Sequence, residues 1–355
     1  MRDPWNDSEL VERIRAHERT AFRRAPLNSA LSGAIAQDRS LHTLLAHAPA
    51  DQQYPVLLLA AIHYMVLAEP AHELARWYPN LHADHRDPQD PALASILATF
   101  VNDRAPSVLD LLANRRVQTN EVGRCALFLA GFDRISPGID PIAQIDVGTS
   151  AGLTTLLPRF GFRYDDGPAL GTGTPLITCS TRGDRIAPTT IPAMAPGRGI
   201  DLDPIDIEDP DDARWLQACC WPDQTDRFER LAAAIELARL APPNIIAGDA
   251  VDLIEPTIAT VPADQHPVVT TSWALNYLNA DRRGAFMRHL ESAATDRDLS
   301  WVFAESPTLT PELPHDPRLA DAHTTALVVV QWRGGVRTVD HVAECHPHGY
   351  WLKWL

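Results

Sequence analysis

The stretch Ile145-Asp146-Val147-Gly148-Thr149-Ser150-Ala151-Gly152 decides which fold the chain can adopt. It predicts a short buried strand, a carboxylate near the strand's end, a tight glycine turn and a helix over about 150–160. Free backbone N–H groups at a helix start suit a polar or anionic ligand. The same residues match the G-x-S-x-G pattern of serine hydrolases, with Ser150 at its centre. Two chemistries are therefore open here: cofactor binding and nucleophilic catalysis.

The chain after this stretch alternates apolar runs with helical patterns, which is typical of a parallel sheet covered on both faces. The runs predict strands near 143–147, 199–204, 244–250, 268–273, 299–305, 326–332 and 341–345. The last two, joined across Gly334-Gly335, are expected to form an antiparallel edge pair. Residues 163–198 are rich in Gly and Pro and predict a β-rich insertion, resembling a hairpin around 176–180.

The N-terminal part has helical periodicity and no alternating strand pattern before about residue 140. We therefore predict an α/β protein with two domains. Residues 1–135 form an all-helical subdomain, and residues 136–355 form a Rossmann-like sheet domain with its insertion at about 163–198.

Composition narrows the class of function. A net charge of −15 argues against a surface that binds nucleic acid or anionic lipid, because both need clustered Lys and Arg. The longest apolar run, Val56 to Ala68, is too short to span a bilayer, and the N-terminus has no signal-peptide pattern. Five scattered cysteines do not suggest a disulfide framework. We expect a cytoplasmic protein that acts on a small molecule.

Acidic residues close several of the predicted strands. Asp146, Asp201 or Asp203, and Asp249 all stand at strand ends, as does Trp273. In open parallel sheets ligands bind beyond the carboxyl ends of the strands, where the strand order reverses. Each Asp, taken singly, is equally well explained as a helix N-cap. The ordered set of three favours a ligand site.

These strand-end motifs resemble those of class I S-adenosylmethionine-dependent methyltransferases over roughly residues 140–355. The motifs are Asp146-Val-Gly148-Thr-Ser-Ala-Gly152, Gly199-Ile-Asp201-Leu-Asp203-Pro, Gly248-Asp249-Ala250 and Val268 to Leu278. The resemblance implies S-adenosylmethionine as cofactor. It places Gly148, Ser150 and Gly152 near the methionine part, with Asp146 holding the ammonium. It places Asp201 or Asp203 at the ribose, Asp249 with Ala250 at the adenine, and Trp273 beside the cofactor. Ser150 stands where the family usually has a glycine.

Over its whole length the chain also resembles an uncharacterised bacterial family, frequent in actinobacteria and known as domain of unknown function 2332. Its marks are Gln118-Thr-Asn-Glu-Val-Gly-Arg124, Trp221-Pro-Asp223 and His346-Pro-His348-Gly. This second resemblance identifies relatives and implies no activity.

Methyl transfer needs alignment of acceptor and sulfonium, with a base only for weakly acidic acceptors. Candidate catalytic residues near the expected site are Tyr277, Glu305 and His348. Candidate substrate-binding residues are Asn120, Glu121, Arg124 and Asn276. On residue types alone, a capped helix start with a surface salt link explains the 117–124 segment better than substrate binding does. His346 and His348 lack further ligands at metal-binding spacing, so no metal is expected.

Two other functions remain open. A serine hydrolase would use Ser150 with Asp249 or Asp252 and His346 or His348, in the usual chain order. Against it, no His-Gly-Gly oxyanion segment precedes Ser150, and Asp146 would be a buried charge in the strand before the nucleophile. A cofactor-binding protein without catalytic activity is the third possibility.

Overall fold

The computed structural model describes residues 6–135, 141–314, 316–319 and 324–355. The α-helices are α1 (Asp7–Ala21), α2 (Pro26–Gln37), α3 (Arg39–His42), α4 (Pro55–Ala68), α5 (Ala92–Asp103), α6 (Ala105–Asn114), α7 (Cys125–Phe132), α8 (Pro210–Ala218), α9 (Thr225–Leu240), α10 (Ala250–Ala259) and α11 (Ala280–Asp296). No helix in these ranges is both long and apolar enough to cross a membrane.

The chain divides into two compact units. The helical unit comprises Met1–Thr119 and Glu208–Ala232, and the sheet unit comprises Asn120–Ile207 and Ala233–Leu355. The α/β class and the helical N-terminal region are thereby confirmed. Residues 120–135, which the sequence grouped with the helices, lie in the sheet unit, and α8 lies in the helical unit.

The helical unit is built on capped, partly apolar helices. Asn6 and Glu9 form a reciprocal capping box at the start of α1. Asp223 caps α2 from a distant part of the chain, accepting hydrogen bonds from the amides of Leu27 (2.7 Å) and Asn28 (3.1 Å). Helix α4 is apolar on nearly every face and mostly buried, as expected of a central helix.

The sheet unit contains one ten-stranded mixed sheet. Its strands are β1 (Ile142–Val147), β2 (Gly161–Tyr164), β3 (Leu176–Arg182), β4 (Arg198–Asp201), β5 (Asn244–Ala247), β6 (His266–Ser272), β7 (Leu299–Glu305), β8 (Thr325–Arg333), β9 (Val336–Cys345) and β10 (Trp351–Trp354). Their spatial order is β2-β3-β10-β9-β8-β7-β6-β1-β4-β5. Strands β7, β6, β1, β4 and β5 are mutually parallel, and the order reverses between β1 and β6.

Two predictions about the rest of the sheet are wrong in detail. Strands β8 and β9 do form an antiparallel hairpin, turning through Gly334 and Gly335 at φ +52° and +77°. They are not at the edge, because the short β10 pairs with β9 and carries β3 and β2 beyond it. The insertion is not a hairpin either, since β2 and β3 pair in parallel.

Candidate functional site

The glycine turn after β1 is held in the left-handed region of backbone conformation. Gly148 has φ +73°, Ser150 φ +55° and Gly152 φ +71°. A left-handed backbone costs a residue with a side chain about 1–2 kcal/mol, so Ser150 is strained where glycine would not be. The predicted α-helix does not follow: Leu153–Arg159 forms a 3₁₀ helix that contains Pro158. Proline lacks the N–H that an α-helix needs and clashes with the preceding turn.

Backbone amides of this turn are bonded within the chain, contrary to the prediction of free N–H groups. The amide of Ser150 donates to Asp201 Oδ2 at 2.6 Å, and the amide of Leu153 donates to Asn120 Oδ1 at 2.9 Å. The amide of Gly148 donates to the Ile200 carbonyl at 2.9 Å. Asp201 and Asn120 thus act first as partners of the turn.

Asp146 lies at the end of β1, where it is 4 % exposed. Its Oδ1 accepts a hydrogen bond from the Thr270 hydroxyl at 2.7 Å, and its Oδ2 accepts one from the Thr154 hydroxyl. Burial raises the pKa of Asp146, while these hydroxyls and the nearby Arg124 favour its charged form. Both oxygens of this carboxylate therefore have a partner in the sheet unit.

The acidic residues at the other strand ends are more exposed to solvent. Asp203 is exposed, and its amide donates to Asp201 Oδ1 at 2.9 Å. Asp249 is the N-cap of α10, accepting from the Val251 amide at 2.9 Å, and it pairs with Arg282 at 2.5 Å. Ala250 is half-buried at the start of the same helix. Asp249 is thus a helix N-cap, as the sequence allowed, and the half-exposed carboxylate of Asp249 remains accessible.

Glu305 ends β7 and is fully buried. Its Oε1 accepts hydrogen bonds from the amides of Ala274 (3.0 Å) and Leu275 (3.2 Å). Its Oε2 has no hydrogen-bond partner within the described residues. Burial raises the pKa of Glu305 to about 7, although the two amides, Arg124 and the Thr271 hydroxyl favour the charged form. A buried carboxyl with one oxygen in reserve is suited to taking up a proton near neutral pH.

Glu305 also fixes the segment that follows β6 against the glycine turn. A Cβ atom on Gly148 would lie 2.8 Å from the Cβ of Ala274, so this approach requires glycine. Ala274 is the residue whose amide Glu305 binds. The ends of β1, β6 and β7 therefore form one contiguous structure.

Arg124 connects three segments at this end of the sheet. Its Nε donates to the Pro347 carbonyl at 2.8 Å and its Nη1 to the Ser272 carbonyl at 3.0 Å. Glu121 lies beside it in the chain, with its Oε2 3.7 Å from His348 Nδ1. The predicted residues Glu121, Arg124 and His348 are therefore brought together, and Arg124 lies close enough to Asp146 and Glu305 to favour their charged forms.

The segments 121–124 and 346–349 touch through their backbones. A Cβ atom on Gly349, which has φ +76°, would lie 2.1 Å from the Gly123 carbonyl oxygen, and one on Gly123 would lie 2.5 Å from the His348 carbonyl oxygen. Only glycine allows both approaches.

The remaining predicted residues are more exposed than the buried carboxyls. Tyr277 is 85 % exposed, and Asn276 is exposed beside it. Trp273 adopts φ +56°, unusual for a large side chain, and its Nε1 is buried without a partner in the described part of the chain. Tyr277 and Glu305, both proposed from sequence as catalytic, thus occupy opposite environments.

Residues that sequence reasoning missed are the hydroxyl partners, Thr154, Thr270 and Ser272. The sequence did contain a signal for Thr270, because two threonines interrupt the apolar run of β6. Both threonines are fully buried in the structure, where a hydroxyl needs a hydrogen-bond partner. Within the described ranges, no three His, Cys, Asp or Glu side chains are placed to hold a metal ion. The five cysteines are free thiols.

A protein-family profile matches nearly the whole chain. The profile of DUF2332, described as "Uncharacterized protein conserved in bacteria", matches residues 12–354. The chain belongs to the DUF2332 family. No curated protein matches it. Two of the DUF2332 marks recognised in the sequence are the segments that meet at Arg124 and Pro347, and the third contains Asp223, the cap of α2.

Proposed function

We propose that this DUF2332 protein binds S-adenosylmethionine and transfers its methyl group to a small-molecule acceptor. The observation that carries the proposal is the order of the parallel strands. Numbered along the chain, the five parallel strands lie in the order 3-2-1-4-5, which is the order of doubly wound sheets that bind nucleotide cofactors. The glycine turn follows the first of them, next to the point of reversal.

The residues at this edge fit the cofactor's polar groups. Asp201 is partly exposed, and each of its oxygens accepts one amide and has a further lone pair for a ribose hydroxyl. Asp203 and the half-exposed Asp249 offer further acceptors for the ribose and adenine. Gly148 and Gly152 allow the left-handed turn that would face the methionine part. Asp146 would attract the ammonium through its charge.

The bound cofactor would supply an electrophilic methyl group on sulfur. The chain's own contribution would be to orient the acceptor and receive its proton. Glu305 suits the second task, because its pKa of about 7 lets it be a base at neutral pH without being permanently protonated. His348 beside Glu121 is a second group that could relay a proton.

Isothermal titration calorimetry with S-adenosylmethionine and S-adenosylhomocysteine tests the proposal. We expect both to bind the wild type, and we expect Asp201→Ala to lose affinity by at least about tenfold, because the ribose diol would lose its paired acceptor. Asp211→Ala is the matched control, since Asp211 lies on α8 in the helical unit and pairs with Arg214. Absence of binding to folded wild-type protein would overturn the proposal.

The hydrolase alternative is favoured by one observation, the left-handed backbone of Ser150 in a turn directly after a strand. Asp249 and Asp252, its candidate acids, both pair with Arg282. Labelling by a fluorophosphonate probe that disappears in Ser150→Ala would establish this function instead. Cofactor binding without turnover on any acceptor would favour the non-catalytic possibility.

A further inference from the structure

Three acidic side chains are buried near Arg124 at the carboxyl ends of the parallel strands. They belong to Glu121, Asp146 and Glu305, and each is at most 5 % exposed. Arg124 favours the charged forms of Asp146 and Glu305. Burial raises the pKa of the Cys125 thiol, and Asp146 and Glu121 raise it further, which places these two carboxyls in the same region. Among these side chains, three acidic groups accompany one guanidinium.

Hydrogen bonds stabilise these carboxylates but do not neutralise their charge. Two hydroxyl groups donate to Asp146, and the amide of Gly123 donates to Glu121 Oε1 at 2.9 Å. Glu305 is different, because its Oε2 is buried without a hydrogen-bond partner in the described part of the chain. A buried carboxylate without an opposite charge is costly, and either a proton or a cation removes that cost.

Glu305 can respond to a positive charge placed nearby. Burial raises the pKa of its carboxyl to about 7, against the two amides that follow β6, Arg124 and the Thr271 hydroxyl, which favour the charged form. On the opposite side, β8 places the uncharged Ala326 beside Glu305. Near neutral pH the carboxyl is therefore divided between its acid and its anion. A further positive charge would shift it to the anion and would itself be stabilised by that anion.

The cofactor and the product of methyl transfer differ in this respect. S-adenosylmethionine and S-adenosylhomocysteine share their amino acid, ribose and adenine groups, but only S-adenosylmethionine has a positive charge on sulfur. Asp201, Asp203 and Asp249 would contact groups that both molecules possess. Two unit charges several ångströms apart in a partly buried site interact strongly enough to change an affinity by about tenfold. The buried carboxyls could therefore distinguish the two molecules.

We propose that Glu305 is a specificity-determining residue, whose carboxylate favours the positively charged cofactor over the neutral product. The inference rests on the proposed function. During the transfer, the bond between the methyl carbon and sulfur breaks and leaves its electron pair on sulfur. The acceptor atom forms a new bond to that carbon, and Glu305 takes up the acceptor's proton. Both members of the attractive pair lose their charge in this step, which favours release of the product.

Isothermal titration calorimetry of the full chain with both molecules at pH 5.5 and pH 7.5 tests the inference. At pH 7.5 we expect the wild type to bind S-adenosylmethionine at least about tenfold more tightly than S-adenosylhomocysteine. This ratio of affinities should fall by about fivefold or more at pH 5.5, where Glu305 is mostly protonated. In Glu305→Gln the ratio should be the same at both pH values and close to the wild-type ratio at pH 5.5.

The ratio removes the effect of groups whose titration changes both affinities alike, such as the half-buried His348. Glu255→Gln is the control, because Glu255 lies on the surface of the sheet unit, 2.7 Å from His289, where water and salt screen its charge. It should keep the wild-type ratio at both pH values. The wild-type ratio tests the inference even if Glu305→Gln does not fold.

Two outcomes would overturn the inference and leave the proposed function in place. One is equal affinity of the wild type for the two molecules at pH 7.5. The other is a ratio that changes with pH in Glu305→Gln as it does in the wild type. Absence of binding of both molecules to folded wild-type protein would overturn the inference together with the proposed function.

Discussion

The ends of β1 and β7 each carry a buried carboxyl group, and the two carboxyl groups differ in their hydrogen-bond partners. Asp146 has a hydroxyl donor on each oxygen, from Thr270 and Thr154. Glu305 has two amides on one oxygen and no described partner on the other. A fully bonded carboxylate rigidifies its site, whereas one with a free oxygen keeps capacity for a proton or a ligand.

The difference assigns separate tasks to the two strand ends. Asp146 ties the glycine turn to its neighbouring strand through hydroxyls and is a structural centre of the site. Glu305 positions Ala274 against Gly148 and retains a reactive oxygen. Substitutions that remove one partner at a time distinguish these two tasks.

Arg124→Met should have the largest effect on stability. The Arg124 side chain is largely buried, bonds two backbone carbonyls and favours the charged form of both carboxyls. Removing it should lower the free energy of unfolding by about 3–5 kcal/mol, measured by urea denaturation. Arg134→Met is the control, because the Arg134 side chain is 40 % exposed where it pairs with Asp340 and should cost less than about 1 kcal/mol. Equal losses would contradict a central role for Arg124.

Glu305→Gln should change how stability depends on pH. An unfolded glutamate ionises at a pKa of about 4.3, whereas burial raises the folded value to about 7. The unfolded chain therefore loses this proton first, and wild-type stability falls as pH rises from about 4.3 to about 7. Glutamine cannot ionise, so the variant should match wild type near pH 5 and exceed it at pH 8 by on the order of 2–3 kcal/mol.

Urea denaturation at pH 5 and pH 8 gives this comparison directly. Glu255→Gln serves as the control, because Glu255 is on the surface of the sheet unit, where Ser292 and His289 lower its pKa. It should show no gain at pH 8. If the difference in unfolding free energy between Glu305→Gln and wild type is the same at pH 5 and pH 8, the Glu305 carboxyl is ionised at both pH values. Glu305 would then not be the proposed base.

Thr270→Val should cost about 2 kcal/mol at pH 8, because it removes a hydroxyl donor from a buried charged group. Thr155→Val is a matched control: Thr155 is also buried, but its hydroxyl donates to the neutral Gly152 carbonyl at 2.6 Å. That neutral bond should cost about 1 kcal/mol. A loss at Thr270→Val no larger than the loss at Thr155→Val would contradict the role assigned to Asp146.

Much of the sheet could be predicted from the sequence, because its central strands are continuous apolar runs. Strands β1, β6 and β7 lie close to the predicted positions, and the glycine turn was recognisable from its residues. The short β10 could not be predicted, since four residues with alternating burial are weak evidence for a strand. The 3₁₀ helix after the glycine turn could have been predicted, because Pro158 interrupts the helical pattern of the sequence.

The candidate site was predicted less well than the sheet. The residue types at the strand ends were identified, but their partners depend on contacts across long stretches of chain, such as that between Asp201 and the Ser150 amide. The prediction that the backbone amides of the glycine turn are free was wrong for this reason. The positive φ of Trp273 also has no sequence signal, because a tryptophan reaches that region only when surrounding structure imposes it.

Asp249→Ser should have the smallest effect on stability and separates capping from ligand binding at the end of β5. Serine can still accept the Val251 amide as an N-cap, and only the half-exposed pair with Arg282 is lost, so unfolding should change by less than about 1 kcal/mol. Asp249→Ala loses the cap as well and should cost about 1 kcal/mol more. If the carboxylate contacts adenine, both variants should bind S-adenosylmethionine about tenfold more weakly in calorimetry. Wild-type affinity in Asp249→Ser would leave Asp249 a helix cap alone, and the cofactor's acidic contacts would then be confined to the strand ends nearer Asp146.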